Sequence, residues 1–167
     1  MGAMTRYTLV VGLGLGLLWL ASCGRESPDK IYAAAEAAAR NVETLDQAAE
    51  QFRAFLDRYP QHAHAPNALK QLAMIAQQKG DWNGAISYYQ KLLAQFPKSD
   101  QADEAQFMIA FIYEEDLHDL DQARAAYQRV IDNFPTSELA VSAQRLLPNV
   151  GRDPEEWVQF QDGPASP

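Results

Sequence analysis

An alanine, an aromatic residue four positions on and a proline eight positions after that recur three times in this chain: Ala48, Phe52 and Pro60; Ala85, Tyr89 and Pro97; Ala123, Tyr127 and Pro135. The prolines stand 37 and 38 residues apart, and Leu45-Asp46-Gln47-Ala48 returns letter for letter as Leu120 to Ala123. A period of that size marks stacked supersecondary units, none of which can bury its apolar face alone. The expectation is an all-α chain that stacks about three helix pairs and is closed by a C-terminal capping helix.

The apolar spacing supplies the helices. Lys30 to Arg40 is alanine-rich, and small side chains let a neighbouring helix approach closely. Leu45 to Arg58 carries Ala48, Phe52, Phe55, Leu56 and Tyr59 on one face, at the three- and four-residue steps of an amphipathic helix. Pro60 stops it. Pro66 opens the next helix, where a missing N–H costs nothing. Gly80 is placed to end that helix in a left-handed conformation, and Asp81 to cap Trp82 to Gln95. The third unit carries one extra residue, expected in a turn from Glu115 to Asp119. Thr136 or Ser137 then caps a final helix from Glu138 to Leu147. The expected divisions are repeats at about 30–60, 61–97 and 98–135, a capping helix at 137–147 and a polar tail at 148–167. Within that tail, residues 154–160 read as a short helix that docks Trp157 and Phe160 on the solenoid.

These units resemble tetratricopeptide repeats. Leu69, Leu72-Ala73, Ala76, Gly80, Ala85, Tyr89 and Pro97 fall at the positions of the W-x2-L-G-x2-Y, A-x3-F, P signature, with Leu for Trp and Ala for Gly and Tyr. Ile109-Ala110, Tyr113, Ala123, Tyr127 and Pro135 repeat it, and Ala35 and Ala38 stand for Gly and Tyr in a first unit. The resemblance implies a right-handed α-α superhelix, and in its register Ala48, Ala73, Ala85, Ala110 and Ala123 sit at close helix contacts. Phe52, Tyr89, Tyr113 and Tyr127 fill the space between units, and Pro60, Pro97 and Pro135 end them.

The N-terminus is of a different kind. Leu9 to Leu20 is an apolar run of 12 residues behind the single charge of Arg6, short of the roughly 20 residues that a bilayer-spanning helix needs. It reads as the apolar region of a signal peptide, residues 1–22. The run closes on Leu20-Ala21-Ser22-Cys23, which resembles the bacterial lipobox and implies lipidation of Cys23, with palmitate among its acyl chains. Residues 23–29 would then be a lipidated tether. By the sorting rule that the lipoprotein resemblance implies, Gly24, where an aspartate would signal retention at the inner membrane, points to the periplasmic face of the outer membrane. Gly12-x-Gly14-x-Gly16 lacks the strand-turn-helix setting of a phosphate-binding loop. Arg6 stands where a myristoylation signal needs Ser or Thr.

Cys23 is the single cysteine, so no internal disulfide can form. Of 14 basic side chains only Arg6 lies in the leader, which leaves 13 against 22 acidic ones and a formal charge of −9 after cleavage. Such a chain repels phosphate backbones, since nucleic-acid affinity comes largely from Lys and Arg releasing counterions. Membrane attachment therefore falls to the acyl chains.

No residue set suggests catalysis, a cofactor or a small-molecule substrate. His62 and His64 read as surface histidines of a loop, with no Cys, Asp or Glu within four residues, so no metal site is expected. The working surface is expected to be the groove that tetratricopeptide inner helices line. That register places Tyr32, Glu36, Asn67, Lys70, Met74, Gln77, Phe107, Phe111 and Glu114 there. Aromatics and Met74 would anchor a peptide segment while the polar groups fix its direction. A competing reading packs Phe107 and Phe111 against the capping helix or the Trp157 tail.

The aromatic-Pro ends Tyr59-Pro60, Phe96-Pro97-Lys98-Ser99 and Phe134-Pro135-Thr136-Ser137, with Ala105-Gln106-Phe107-Met108-Ile109-Ala110, resemble the BamD-like and YbgF-like tetratricopeptide proteins of the bacterial envelope. The chain has fewer repeats than the former and, unlike the latter, a lipobox and no coiled coil. The resemblance implies a non-catalytic scaffold that binds an envelope protein or peptide segment, either as an accessory of outer-membrane β-barrel assembly or in Tol-Pal function. A self-associating structural module remains the alternative.

Overall fold

The computed structural model describes residues 26–152 of the chain. The expected signal peptide, Cys23 and the docking segment 154–160 lie outside the described residues. Seven α-helices follow in order: α1 Pro28–Ala39, α2 Leu45–Arg58, α3 Ala65–Gln78, α4 Trp82–Gln95, α5 Ala102–Phe111, α6 Leu120–Asn133 and α7 Glu138–Leu146. There is no strand among the described residues. The closest packing joins α1 to α2, α3 to α4 and α5 to α6, and each hairpin then leans on the next through α2/α3, α4/α5 and α6/α7. This is the expected α-solenoid. Among the described residues no helix is long and apolar enough to cross a membrane.

The joints between hairpins are copies of one another. Tyr59, Phe96 and Phe134 end α2, α4 and α6 with φ/ψ of −135/57, −134/56 and −130/52°. Each returns its N–H to the carbonyl four residues back, Phe55, Leu92 and Val130, at 2.8, 2.7 and 3.0 Å. A following proline disfavours the α conformation for the residue before it, so each Xaa-Pro pair ends its helix the same way. Five and eight residues after each proline stand Ala65 and Ala68, Ala102 and Ala105, Ala140 and Ala143, all buried. The same small residues at the same distance from the proline make α7 the inner helix of a fourth, incomplete unit.

Side-chain caps set the starts. Asp81 Oδ1 accepts from Gly84 N at 2.9 Å and Asp119 Oδ1 from Gln122 N at 3.1 Å, at equivalent positions of α4 and α6. Ser137, not Thr136, caps α7 by accepting from Leu139 N at 3.0 Å. At the N-terminus the expected boundary moves. Ser27 accepts from Lys30 N and Pro28 occupies the first turn, so α1 begins at Pro28 rather than Lys30 and takes in part of the expected tether.

The extra residue of the third unit is absorbed in the helix and not, as expected, in a turn from Glu115. Residues Ile112–Asp116 form a π-helical stretch that continues α5, with Leu117 N bonded to Ile112 O at 3.0 Å and Asp119 N to Tyr113 O at 2.8 Å. In the second unit Asp81 N reaches Ala76 O at 2.9 Å, one residue fewer. A wide turn takes up a single inserted residue while both flanks keep their packing. Ala123 and Tyr127 beyond it are as fully buried as Ala85 and Tyr89 before it.

The core is continuous from Tyr32 to Val150. Phe52, Tyr89 and Tyr127, the repeated aromatics, are 0–1% exposed. Val150 was not foreseen as core in a tail read as polar. It is held by Arg124, whose Nη2 donates to Val150 O at 3.1 Å.

Candidate concave binding surface

The inner helices α1, α3 and α5 carry equivalent residues in rows. Asn67 aligns with Glu104, Lys70 with Phe107, Met74 with Phe111 and Gln77 with Glu114, each 37 residues apart. Lys70 Nζ donates to Glu104 Oε2 at 2.6 Å, which sets α3 beside α5 in register. Met74 lies one turn beyond Lys70, and Phe107 and Phe111 lie one and two turns beyond Glu104, so the three form an apolar strip along one face. Met74 and Phe111 are 38% and 41% exposed, unusual for large apolar side chains. Glu36 of α1, 38 residues before Met74 in the repeat register, is half-buried.

Other expected groove residues are partly committed to the fold. Phe107 is half-buried, edge-on to Tyr127 of α6 with centroids 5.5 Å apart, a partner other than the capping helix or the tail that the competing reading named. Gln77 Oε1 accepts from the Tyr89 hydroxyl at 2.9 Å, and Glu114 Oε1 accepts from Gly151 N at 3.2 Å. Asn67 is half-buried.

Tyr32 is a correction. It is 5% exposed, with its ring 5.7 Å from Phe52, 5.6 Å from Phe55 and stacked on His64 at 4.3 Å. With α1 the first described helix, its aromatic turns inward on α2 and the α2–α3 turn to close that end of the core. Burial, helped by the Glu36 carboxylate, raises the pKa of the Tyr32 hydroxyl above the ordinary tyrosine value.

Glu104 belongs to the surface and was missed, although its 37-residue offset from Asn67 marks it. Two outer-helix tyrosines approach these acidic groups from below. Burial raises the Tyr89 pKa, with Glu104 adding to it, and burial raises that of Tyr127, with Glu114 adding to it. The Tyr127 hydroxyl is buried with no hydrogen-bond partner among the described residues.

A cleft of about 420 Å³ lies away from this strip at the unit ends, lined by residues such as Ser99, Asp103, Asn133 and Ser137. Ser137 Oγ there donates to Asp103 Oδ2 at 2.5 Å while capping α7, a structural use of both groups. The loop histidines also have a neighbour that their local sequence does not show. Asp29, 33 residues before His62, brings its carboxylate to both imidazoles.

Residues 64–136 match the tetratricopeptide repeat family. The match covers α3 to α6 and the joint that follows. No curated protein matches the chain. The α1–α2 hairpin precedes the matched span, yet it ends on the same Tyr59 joint and buries Ala48 and Phe52 as its successors bury Ala85 and Tyr89. Tetratricopeptide repeats are in general non-catalytic modules that bind proteins, and this chain is an α-solenoid whose residues 64–136 match that family.

Proposed function

We propose that this chain is a non-catalytic protein–protein interaction scaffold of the bacterial cell envelope, anchored by lipid at Cys23 and working through its concave face. The observation that carries the reading is the pair Met74 and Phe111, equivalent residues on successive inner helices that are both exposed. Burying an apolar side chain on a partner gains about 1.5–3 kcal/mol, while the Lys70–Glu104 pair supplies polar groups at its edge. The lipobox-like Leu20-Ala21-Ser22-Cys23 supports the anchor, and Gly24 the outer membrane. Within this reading, an accessory place in β-barrel assembly or in Tol-Pal function is the finer form that the BamD-like and YbgF-like resemblance favours.

The test compares partners recovered from membranes with wild type and with Met74→Glu/Phe111→Glu, Cys23 intact in both. Phe107 is left unchanged because it packs on Tyr127. Proteins recovered with wild type and lost from the folded variant support the concave face, whereas identical sets exclude it. Metabolic labelling with palmitate, present in wild type and absent in Cys23→Ala, tests the anchor.

A second reading has one observation in its favour. Gly151 N is bonded to Glu114, one turn from Phe111, so the chain leaves its last described residues beside the apolar strip. Self-filling of the groove, by this chain's own tail or by another copy, predicts that removing residues 153–167 lowers stability or dissociates an oligomer.

A further inference from the structure

From the geometry of three side chains that the concave face does not use, we infer that Asp29, His62 and His64 form a site for a divalent first-row transition-metal ion such as Zn²⁺. His64 Nε2 lies 3.2 Å and His62 Nε2 3.7 Å from the same oxygen, Asp29 Oδ1, and one ligand atom from each residue falls within 4.8 Å of the others. A tetrahedral zinc with bonds of about 2.1 Å holds its ligand atoms about 3.4 Å apart. Two edges of the triangle are therefore within a few tenths of an ångström of the required length.

Both imidazoles are held in place. His64 stacks on Tyr32 with an interplanar angle of 11°, and His62 stands edge-on to Phe55 at 5.5 Å and 87°. Those aromatics belong to the core, so the rings meet the carboxylate without a large ordering cost. Two imidazoles and one carboxylate favour borderline ions such as Zn²⁺ over Mg²⁺ or Ca²⁺, which prefer oxygen. The carboxylate is on the open side, with 70% of the Asp29 side chain exposed, which leaves room for water as a fourth ligand.

Proton placement limits the affinity. His64 N–H donates to His62 Nδ1 at 3.2 Å, so neutral His62 carries its proton on Nε2, toward Asp29. Coordination through Nε2 moves that proton to Nδ1 and opens the contact with His64 N–H. The expected affinity for Zn²⁺ is therefore far weaker than that of a four-ligand structural zinc site. A bound ion would tie the first turn of α1 to the α2–α3 turn across 33 residues of sequence. This inference does not depend on the concave face or on the lipid anchor.

The test is calorimetric titration of the full-length chain, in detergent and without a polyhistidine tag, with zinc chloride and with magnesium chloride. One equivalent of Zn²⁺ is expected, no heat of binding with Mg²⁺, and a binding constant at least tenfold weaker in Asp29→Asn, His62→Gln and His64→Gln. His118→Gln, which alters the third histidine of the chain, should bind like wild type. Zn²⁺ at tenfold excess over Kd should also raise the unfolding midpoint by roughly 5 °C in wild type and not in Asp29→Asn. Asp29→Asn changes an exposed side chain without changing its size, so it keeps the test valid if His64→Gln loosens Tyr32. Equal binding by wild type and Asp29→Asn, or no binding by wild type below millimolar Zn²⁺, overturns the assignment.

Discussion

Gly80 and His118 occupy the same place in successive units, one residue before the aspartate that caps the next helix, and both have left-handed backbone, with φ of 72 and 52°. Glycine adopts that conformation freely, whereas a side chain there strains the backbone. No atom lies within 4 Å of a Cβ built on Gly80, so any penalty there is conformational and not a clash. His118→Gly is expected to stabilise the chain by about 0.5–1 kcal/mol, and Gly80→Ala to destabilise it by about 1 kcal/mol. Urea unfolding checks both. The midpoints should move in opposite directions with unchanged slopes.

The equivalent tyrosines Tyr89 and Tyr127 differ in one bond. Tyr89 donates to Gln77, while the buried Tyr127 hydroxyl lies near the Glu114 carboxylate and has no hydrogen-bond partner of good geometry among the described residues. Tyr89→Phe should cost about 1 kcal/mol, while Tyr127→Phe should be neutral or stabilising by up to about 1 kcal/mol, since it removes a buried, unsatisfied polar group. Equal losses in denaturant titrations would show that the Tyr127 hydroxyl is satisfied in solution.

Alkaline pH should unfold this chain through three side chains. Tyr32, Tyr89 and Tyr127 all have pKa values raised above the ordinary 10.0, first by burial. Each therefore keeps its proton in the folded state while the unfolded chain begins to lose it. The contribution is complete below pH 10 and declines as pH rises toward the folded-state values, by about 1.4 kcal/mol per pH unit for each tyrosine. Stability measured from pH 8 to 11 should be flat and then fall, less steeply in Tyr127→Phe. A profile with no decline above pH 10 would contradict the burial of these hydroxyls.

The apolar strip contains both surface and core. Met74→Glu and Phe111→Glu remove exposed side chains and should change stability by no more than about 0.5 kcal/mol. Phe107→Glu places a carboxylate against the Tyr127 ring and should cost at least about 2 kcal/mol. Thermal unfolding of the three single variants separates the residues free to bind from the one that is held.

The repeats were legible because each unit solves one packing problem with the same few residues. Ala48, Ala85 and Ala123 are small where helices touch, and the Xaa-Pro ends leave the preceding residue little choice of backbone. What stayed hidden depends on contacts between distant segments. Tyr32 has the spacing of a groove residue, yet it turns into the core at the first described hairpin. Asp29 is invisible to a search around His62 and His64, because only the α1–α2 fold brings it back to them. The π-helical stretch escaped for another reason: an inserted residue has the same letters whether it widens a helix or lengthens a turn. The backbone hydrogen bonds decide, and here the buried Ala110 before the stretch and Ala123 and Tyr127 after it keep their packing when the helix widens. Glu104, by contrast, was readable from the period alone.

The near-identical backbone at Tyr59, Phe96 and Phe134 makes the molecule modular in a constructional sense. The same turn is executed after every pair of helices, so curvature is dictated by a local dihedral setting and not by the molecule's overall length. A further pair spliced in after Pro97, ending in its own aromatic-Pro joint, would add one step to the staircase and lengthen the inner face without altering the steps on either side.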